Sequence, residues 1–351
     1  MKFNNKKTLA LAGAICGLVG VLLAKTGNPG NMAICIACFI RDIAGALKLH
    51  SAPVVQYARP EVIGIVLGAF GISVATKEYR STGGSSPLTR FVLGFIIMVG
   101  SLVFLGCPLR MVIRMSAGDL NAYFALIGFA LGVATGVVAL KKGFSLGRSY
   151  ATNDMSGAVM PAMMVGILIL STCTTLLAVS TEGPGSMRAP LLLALVGGLV
   201  FGALAQKSRM CFAGSVRDII MIKNFDLVSV IGGFFVVMLV FNIVNGSFNL
   251  GMTGQPVAHT QTLWNILGMY AVGFAAVLAG GCPLRQLVLA GQGSSDAAVT
   301  VLGLLVGAAC CHNFGLASSG EGTTPNGRIA LIICIVILFV IGFVGNKRKA
   351  A

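Results

Sequence analysis

Charged residues are scarce in this sequence: Asp, Glu, Lys and Arg make up only 10% of its 351 residues, against about 25% in an ordinary soluble domain. So little polar surface cannot cover a water-facing exterior, which excludes a soluble globular protein. Histidine is nearly missing too, with three in the chain, at 50, 259 and 312. They fall in three different segments, which argues against a zinc site. No Gly-x-x-x-x-Gly-Lys-Ser/Thr stretch occurs, so the chain has no phosphate loop for ATP hydrolysis. Acidic residues hardly enter the long apolar runs, and no buried carboxylate relay for protons is visible. The sequence points to no metal and no cofactor.

What fills the chain instead is apolar: 56% of residues are hydrophobic. Runs fall at about 8–24, 61–75, 91–106, 121–140, 158–180, 190–206, 226–244, 262–281, 296–311 and 329–345. Most approach the ~20 residues a helix needs to cross a bilayer. The fold class is therefore an all-α polytopic membrane protein with about ten membrane helices. The first 24 residues, "MKFNNKKTLALAGAICGLVGVLLA", read as an uncleaved first helix, because no small-x-small site leads into a polar start.

The net charge of +15 would invite nucleic acid in a soluble protein. Here Lys and Arg sit in short loops and at both ends, as the positive-inside rule describes, and no nucleic-acid partner is expected. With the N-terminus inside, basic residues favour the inside segments about two to one. That places both termini in the cytoplasm and the protein in the inner (plasma) membrane. The 25–60 loop dissents with four basic residues, read as partly buried within the protein.

Four segments are too polar or too short to span: "GNMAICIACFIRDIAGALK", "GCPLRMVIRMSAG", "KSRMCFAGSVRDIIMIKNF" and "GCPLRQLVLAGQG". They form two pairs. Cys35 and Cys211 lie 176 residues apart, each followed six residues on by Arg41-Asp42 or Arg217-Asp218. Cys107 and Cys282 head the two "GCPLR" copies, 175 residues apart. Two motifs repeating at nearly one offset mark an internal duplication, with a first repeat over 1–180 and a second over 181–351. Equivalent helices are five spans apart, so the repeats are inverted.

Pro108 and Pro283 cannot continue a preceding helix but suit the first turn of a new one. Each apolar run should stop near Gly-Cys, and a re-entrant half-helix should begin at the proline. Half-helix N-termini carry unpaired N–H groups that favour anions. Arg110 and Arg285 stand one turn further on, either attracting an anion or snorkelling toward the headgroups. Arg41-Asp42 and Arg217-Asp218 read as structural ion pairs that bury each other's charge. Of the ten cysteines, Cys16, Cys173, Cys310, Cys311 and Cys334 read as packing residues. "CIAC" at 35–38 matches Cys-x-x-Cys, but the second repeat has Gly214 where the first has Cys38.

"MCFAGSVRDI" followed by "AGGCPLR", with the earlier copies "ICIACFIRDI" and "LGCPLR", resembles the YeeE/YedE sulfur-transport family. That resemblance implies an inner-membrane importer of thiosulfate, built of inverted repeats, with cysteines on the pathway touching the substrate. Carried over by motif, these are Cys35, Cys107, Cys211 and Cys282, with Cys38 beside them. Pro-Leu-Arg after both central cysteines and the added Cys38 resemble the YedE-related branch tied to selenium metabolism, so a selenium species becomes the preferred cargo. A cytoplasmic sulfur- or selenium-carrier protein is a partner the resemblance implies. Two other readings stand beside the transporter: a membrane thiol oxidoreductase or chalcogen transferase using Cys35 and Cys38, and a passive small-anion channel.

Overall fold

The computed structural model describes residues 5–344, and fourteen α-helices carry nearly all the regular structure among them. The first seven are α1 (Lys6–Lys25), α2 (Ile36–Ala46), α3 (Pro60–Ala75), α4 (Pro87–Phe104), α5 (Pro108–Ser116), α6 (Leu120–Lys141) and α7 (Asp154–Cys173). The next seven are α8 (Leu191–Ser208), α9 (Phe212–Ile222), α10 (Asp226–Val244), α11 (Thr262–Ala279), α12 (Pro283–Gly291), α13 (Ser295–Asn313) and α14 (Pro325–Phe339). Two-residue strands β1 (Thr82–Gly83) and β2 (Tyr150–Ala151) clip two loops together as an antiparallel pair.

Nine segments among the described residues are long and apolar enough to span a membrane, and α3, with 16 residues, is a shorter tenth. In this count α4–α5, α8–α9 and α11–α12 each form one interrupted segment. The expected run at 158–180 begins and ends earlier as a helix. Asn153 caps α7 by accepting the Met155 N–H, and α7 stops at Cys173 where Thr174 turns extended. The residues after it cross onto α2, Ala178 donating to the Ala46 carbonyl.

The helices meet in exchange-related couples. α1 lies on α10 as α8 lies on α3, and α4 lies on α13 as α11 lies on α6. α4 also meets α11, and α1 meets α8. Over their apolar 18-residue stretches, 89% of the residues of α4–α5 and 78% of those of α11–α12 are buried, against 22% in α10 and 28% in the segment that starts with α14. The interrupted segments α4–α5 and α11–α12 therefore form the centre, and the outer helices turn leucine, isoleucine and valine toward lipid.

Lipid offers no hydrophobic drive between helices, so close backbone contact must supply the packing. Glycine supplies it here. A methyl added to Gly68 would overlap the Leu199 carbonyl of α8, and one added to Gly233 would overlap the Ala10 carbonyl of α1. Gly132 meets Tyr270, and Gly303 meets Phe91, in the same way. Much of the use for 47 glycines lies in these seams.

Candidate functional site: four helix-capping cysteines beside a polar cavity

The four short elements expected from the sequence are helices α2, α5, α9 and α12, of 11, 9, 11 and 9 residues. Each begins immediately after a cysteine. Cys35, Cys107, Cys211 and Cys282 are their N-cap residues, all with extended backbone. Pro108 and Pro283 take the first helical position of α5 and α12, where a missing N–H is harmless. At α9 the Gly214 N–H donates to Cys211 Sγ at 3.2 Å.

The break before each cysteine has one device. Two residues ahead of each stands a residue with left-handed backbone: Ala33 (φ 43°), Leu105 (φ 62°), Arg209 (φ 55°) and Gly280 (φ 84°). Only glycine adopts that conformation freely. Three of the four turns therefore carry backbone strain, held in place by the surrounding packing.

The sulfurs come in pairs. Cys35 Sγ and Cys107 Sγ lie 3.8 Å apart, and Cys211 Sγ and Cys282 Sγ 3.9 Å apart. These are S–H···S distances, far beyond the ~2.05 Å of a disulfide, and all ten cysteines are free. α12 also touches α2, and α5 touches α9, so elements of the two pairs adjoin.

The two pairs differ in access to water. A cavity of about 850 Å³ reaches Cys211 and is lined by Gln206, Lys207, Arg209, Arg217 and Arg285 among others. Its acidic members are Glu78, Asp218 and Asp226. Lys207 pairs with Glu78 at 2.8 Å and Arg217 with Asp218 at 2.8 Å. The ammonium of Lys207 holds the Glu78 carboxyl below the usual carboxylate range. Arg285 gives one N–H to Gln206 at 3.3 Å and otherwise faces the cavity.

Arg110, its sequence counterpart, is wholly buried and spent. Its guanidinium donates to the carbonyls of Asn31 (2.8 Å), Val257 (2.9 Å) and Leu105, and to Cys38 Sγ at 3.4 Å. Neither snorkelling nor anion capture describes it. Cys38 is buried one turn along α2 from Cys35.

Arg41 and Asp42 do pair, at 2.7 Å and fully inside the protein. A partner the sequence did not announce joins them: Arg59 donates to the other Asp42 oxygen at 2.7 Å. Its remaining N–H groups reach the Pro184 and Met187 carbonyls, and its plane lies 4.4 Å over Phe39. A second buried pair, Arg114 with Asp119 at 2.6 Å, ties the end of α5 to the cap of α6. Arg114 and Asp119, five residues apart in an apolar stretch, could have been read as a pair. For Arg59 the sequence held no signal.

Two expectations are corrected. Buried carboxylates do occur in the membrane-embedded part, with Asp42, Glu61 and Asp119 each 0% exposed. The histidines are not all scattered either, since the His50 and His312 rings stack with centroids 4.6 Å apart. Sequence distance hid that meeting because α13 returns its end to the α2 exit. No group of three or more metal-ligating side chains occurs among the described residues.

Comparison with known proteins follows the same lines. The thiosulfate transporter TsuA of Spirochaeta thermophila is 28% identical over 104 residues, 29% of this chain and 31% of that protein. TsuA of Escherichia coli (strain K12) is 28% identical over 111 residues, 30% of each chain. The H(+)/Cl(-) exchange transporter ClcA of Yersinia pestis is 26% identical over 234 residues, 54% of this chain and 48% of that one. The chain thus spans half or less of the length of these relatives. The sulphur transport family model matches residues 207–340, the stretch with the second copy of both repeated motifs, so this part of the chain is similar to that family.

Proposed function

We propose that this protein imports a small sulfur- or selenium-containing anion, of the thiosulfate type, through the inner membrane. The route runs past the pair Cys107–Cys35 and the pair Cys282–Cys211 into the polar cavity. The observation that carries this reading is that all four repeated cysteines stand at the N-cap position of short helices and lie sulfur to sulfur, at 3.8 and 3.9 Å. Helix N-termini favour negative charge. A thiol between two such ends offers an anion a weak S–H donor and a polarisable contact without a covalent trap. Several weak sites in series suit conduction, since a tight one would halt turnover.

The chain divides in this reading into an N-terminal repeat, 1–180, and an inverted C-terminal repeat, 181–351. Support comes from the exchange-related helix couples and from two isolated parallel bridges, Asp119 to Gly251 and Thr82 to Ser294, which join one half to the other. Arg285 is the anion-attracting arginine, and Arg110 a structural one. The cavity faces the cytoplasm, where a soluble sulfur- or selenium-carrier protein can receive the cargo. A thiol oxidoreductase built on Cys35 and Cys38 is disfavoured, because Arg110 engages Cys38 and both sulfurs are out of reach of water.

The test is uptake of labelled thiosulfate and selenite into cells carrying single cysteine variants. Cys211→Ala or Cys282→Ala should lower uptake at least about tenfold, the equivalent of one lost contact of ~1.4 kcal/mol. Cys16→Ala and Cys334→Ala, remote packing positions, should leave it unchanged. Equal uptake in all four variants would remove the thiols from the mechanism. Competition between the two oxyanions assigns the cargo.

A further inference from the structure

The lining of the open cavity has a counterpart in the other half of the chain. Shifted by the repeat spacing, Cys211, Arg217, Asp218 and Arg285 fall on Cys35, Arg41, Asp42 and Arg110. α10 begins with Asp226, which lines the cavity, and α3 begins with Pro60-Glu61. Seven residues after each acid stands a glycine (Gly233, Gly68), and nine after each a phenylalanine (Phe235, Phe70). Glu61 is thus the counterpart of Asp226. On the cavity side these residues meet water, whereas every counterpart is at most 4% exposed.

Buried polar groups of this kind are costly unless fully paired, and one is not. Glu61 Oε1 accepts from Asn28 Nδ2 at 2.7 Å, while Oε2 is buried with no hydrogen-bond partner. Asn28 has nothing further to give, because it also donates to the Ala33 carbonyl and accepts from the Ala189 N–H. The charged and titratable groups around Glu61 are Arg59, Tyr57 and Asp42. Arg188, ahead of α8, stacks over Tyr57 at 4.8 Å. Arg59 is committed to Asp42 and two carbonyls. Asp154 and Arg285, on the α7 and α12 elements that also pack on α3, belong to its other end, beside Tyr79 and Glu78.

We propose that the chain has a second vestibule for the same small anion on the face opposite the cavity, shut in this structure, and that Glu61 holds a proton while it is shut. Opening separates Arg59 and α2 from the 184–187 segment, wets Glu61, and lets its carboxyl O–H pass a proton to water on that face. Shutting takes one proton back. The proposal rests on the two-repeat reading above and gives alternating access a specific latch. Opening then gains up to tenfold per pH unit on that face.

The experiment uses the intact protein in membrane vesicles of both orientations. An impermeant thiol reagent is added on the face opposite the one that labels Cys211, and Cys35 and Cys38 are followed by peptide mass mapping. The wild type should label there, at a rate that rises with the pH of that face. Glu61→Asp should keep that slope. Glu61→Gln, a permanent stand-in for the protonated acid, should lose up to tenfold per unit of it, the thiols' own pH response being common to all three. Asn28→Ala removes the side-chain donor to the carboxylate and should move the profile to higher pH. The proposal falls if Cys35 and Cys38 never label from that face. It also falls if wild type and Glu61→Gln share one slope, or, where Glu61→Gln does not reach the membrane, if Asn28→Ala leaves the profile unmoved. Loss of uptake in Cys211→Ala and Cys282→Ala alongside such a result would leave the transport reading standing and remove only the vestibule.

Discussion

Two arginines occupy the same place in a repeated pentapeptide and do different work. Arg110 fastens the break between α4 and α5 to the segments 31 and 257 through three carbonyls. Removing it would leave those buried acceptors unpaired, at about 1–3 kcal/mol each. Arg285 leaves most of its donors to the cavity. We therefore expect Arg110→Ala to lose at least about 3 kcal/mol of stability in a detergent melting assay. Arg285→Ala should melt within about 0.5 kcal/mol of the parent but need several-fold more thiosulfate for half-maximal uptake. Identical behaviour of the two variants would refute the division. The sequence presented both as "PLR" and could not tell them apart, because the difference lies in what surrounds them. Arg110 is enclosed by loops 79 and 147 residues away in the chain.

At the scale of the element, helix breaks and glycine seams decide the fold. The prolines after Cys107 and Cys282 made α5 and α12 legible, and the duplicated Cys-to-Arg-Asp spacing made α2 and α9 legible. The left-handed residue two places before each cysteine was not, since only Gly280 among the four is a residue that marks such a turn. Nor could the pairing of Cys35 with Cys107 be read, because it depends on how α2 docks against α5 across 72 residues. The seams are directly testable. Gly68→Ala and Gly233→Ala each force a methyl against a carbonyl of the neighbouring helix and should cost about 1–3 kcal/mol. Gly71, on the same helix as Gly68, has nothing within 4 Å of such a methyl. Gly71→Ala should be neutral or slightly stabilising, as alanine is the better helix former. Equal melting temperatures for Gly68→Ala and Gly71→Ala would show that close backbone approach does not hold α3 to α8.

For the whole molecule, the proposed orientation can be tested against charge and geometry together. The dissenting 25–60 loop owes half its positive charge to Arg41 and Arg59, both locked on Asp42 inside the protein, where they no longer report topology. The remaining bias places Lys77, Arg80, Lys141, Lys142 and Lys223 on the face where the cavity opens. α6 measures the distance between faces. Its cap residue Asp119 bridges to Gly251, and its far end leads into the 142–153 loop that β2 clips to β1. Its 22 residues give about 33 Å, the hydrocarbon thickness of a bilayer. Ser145 and Ser247, both exposed, should therefore lie on opposite sides. With the exposed Cys173 replaced by serine, Ser145→Cys should label with an impermeant thiol reagent only from the cytoplasm. Ser247→Cys should label only from outside. Labelling of both from one side would put an even number of crossings between them, and the inverted arrangement of the two halves could not survive that result.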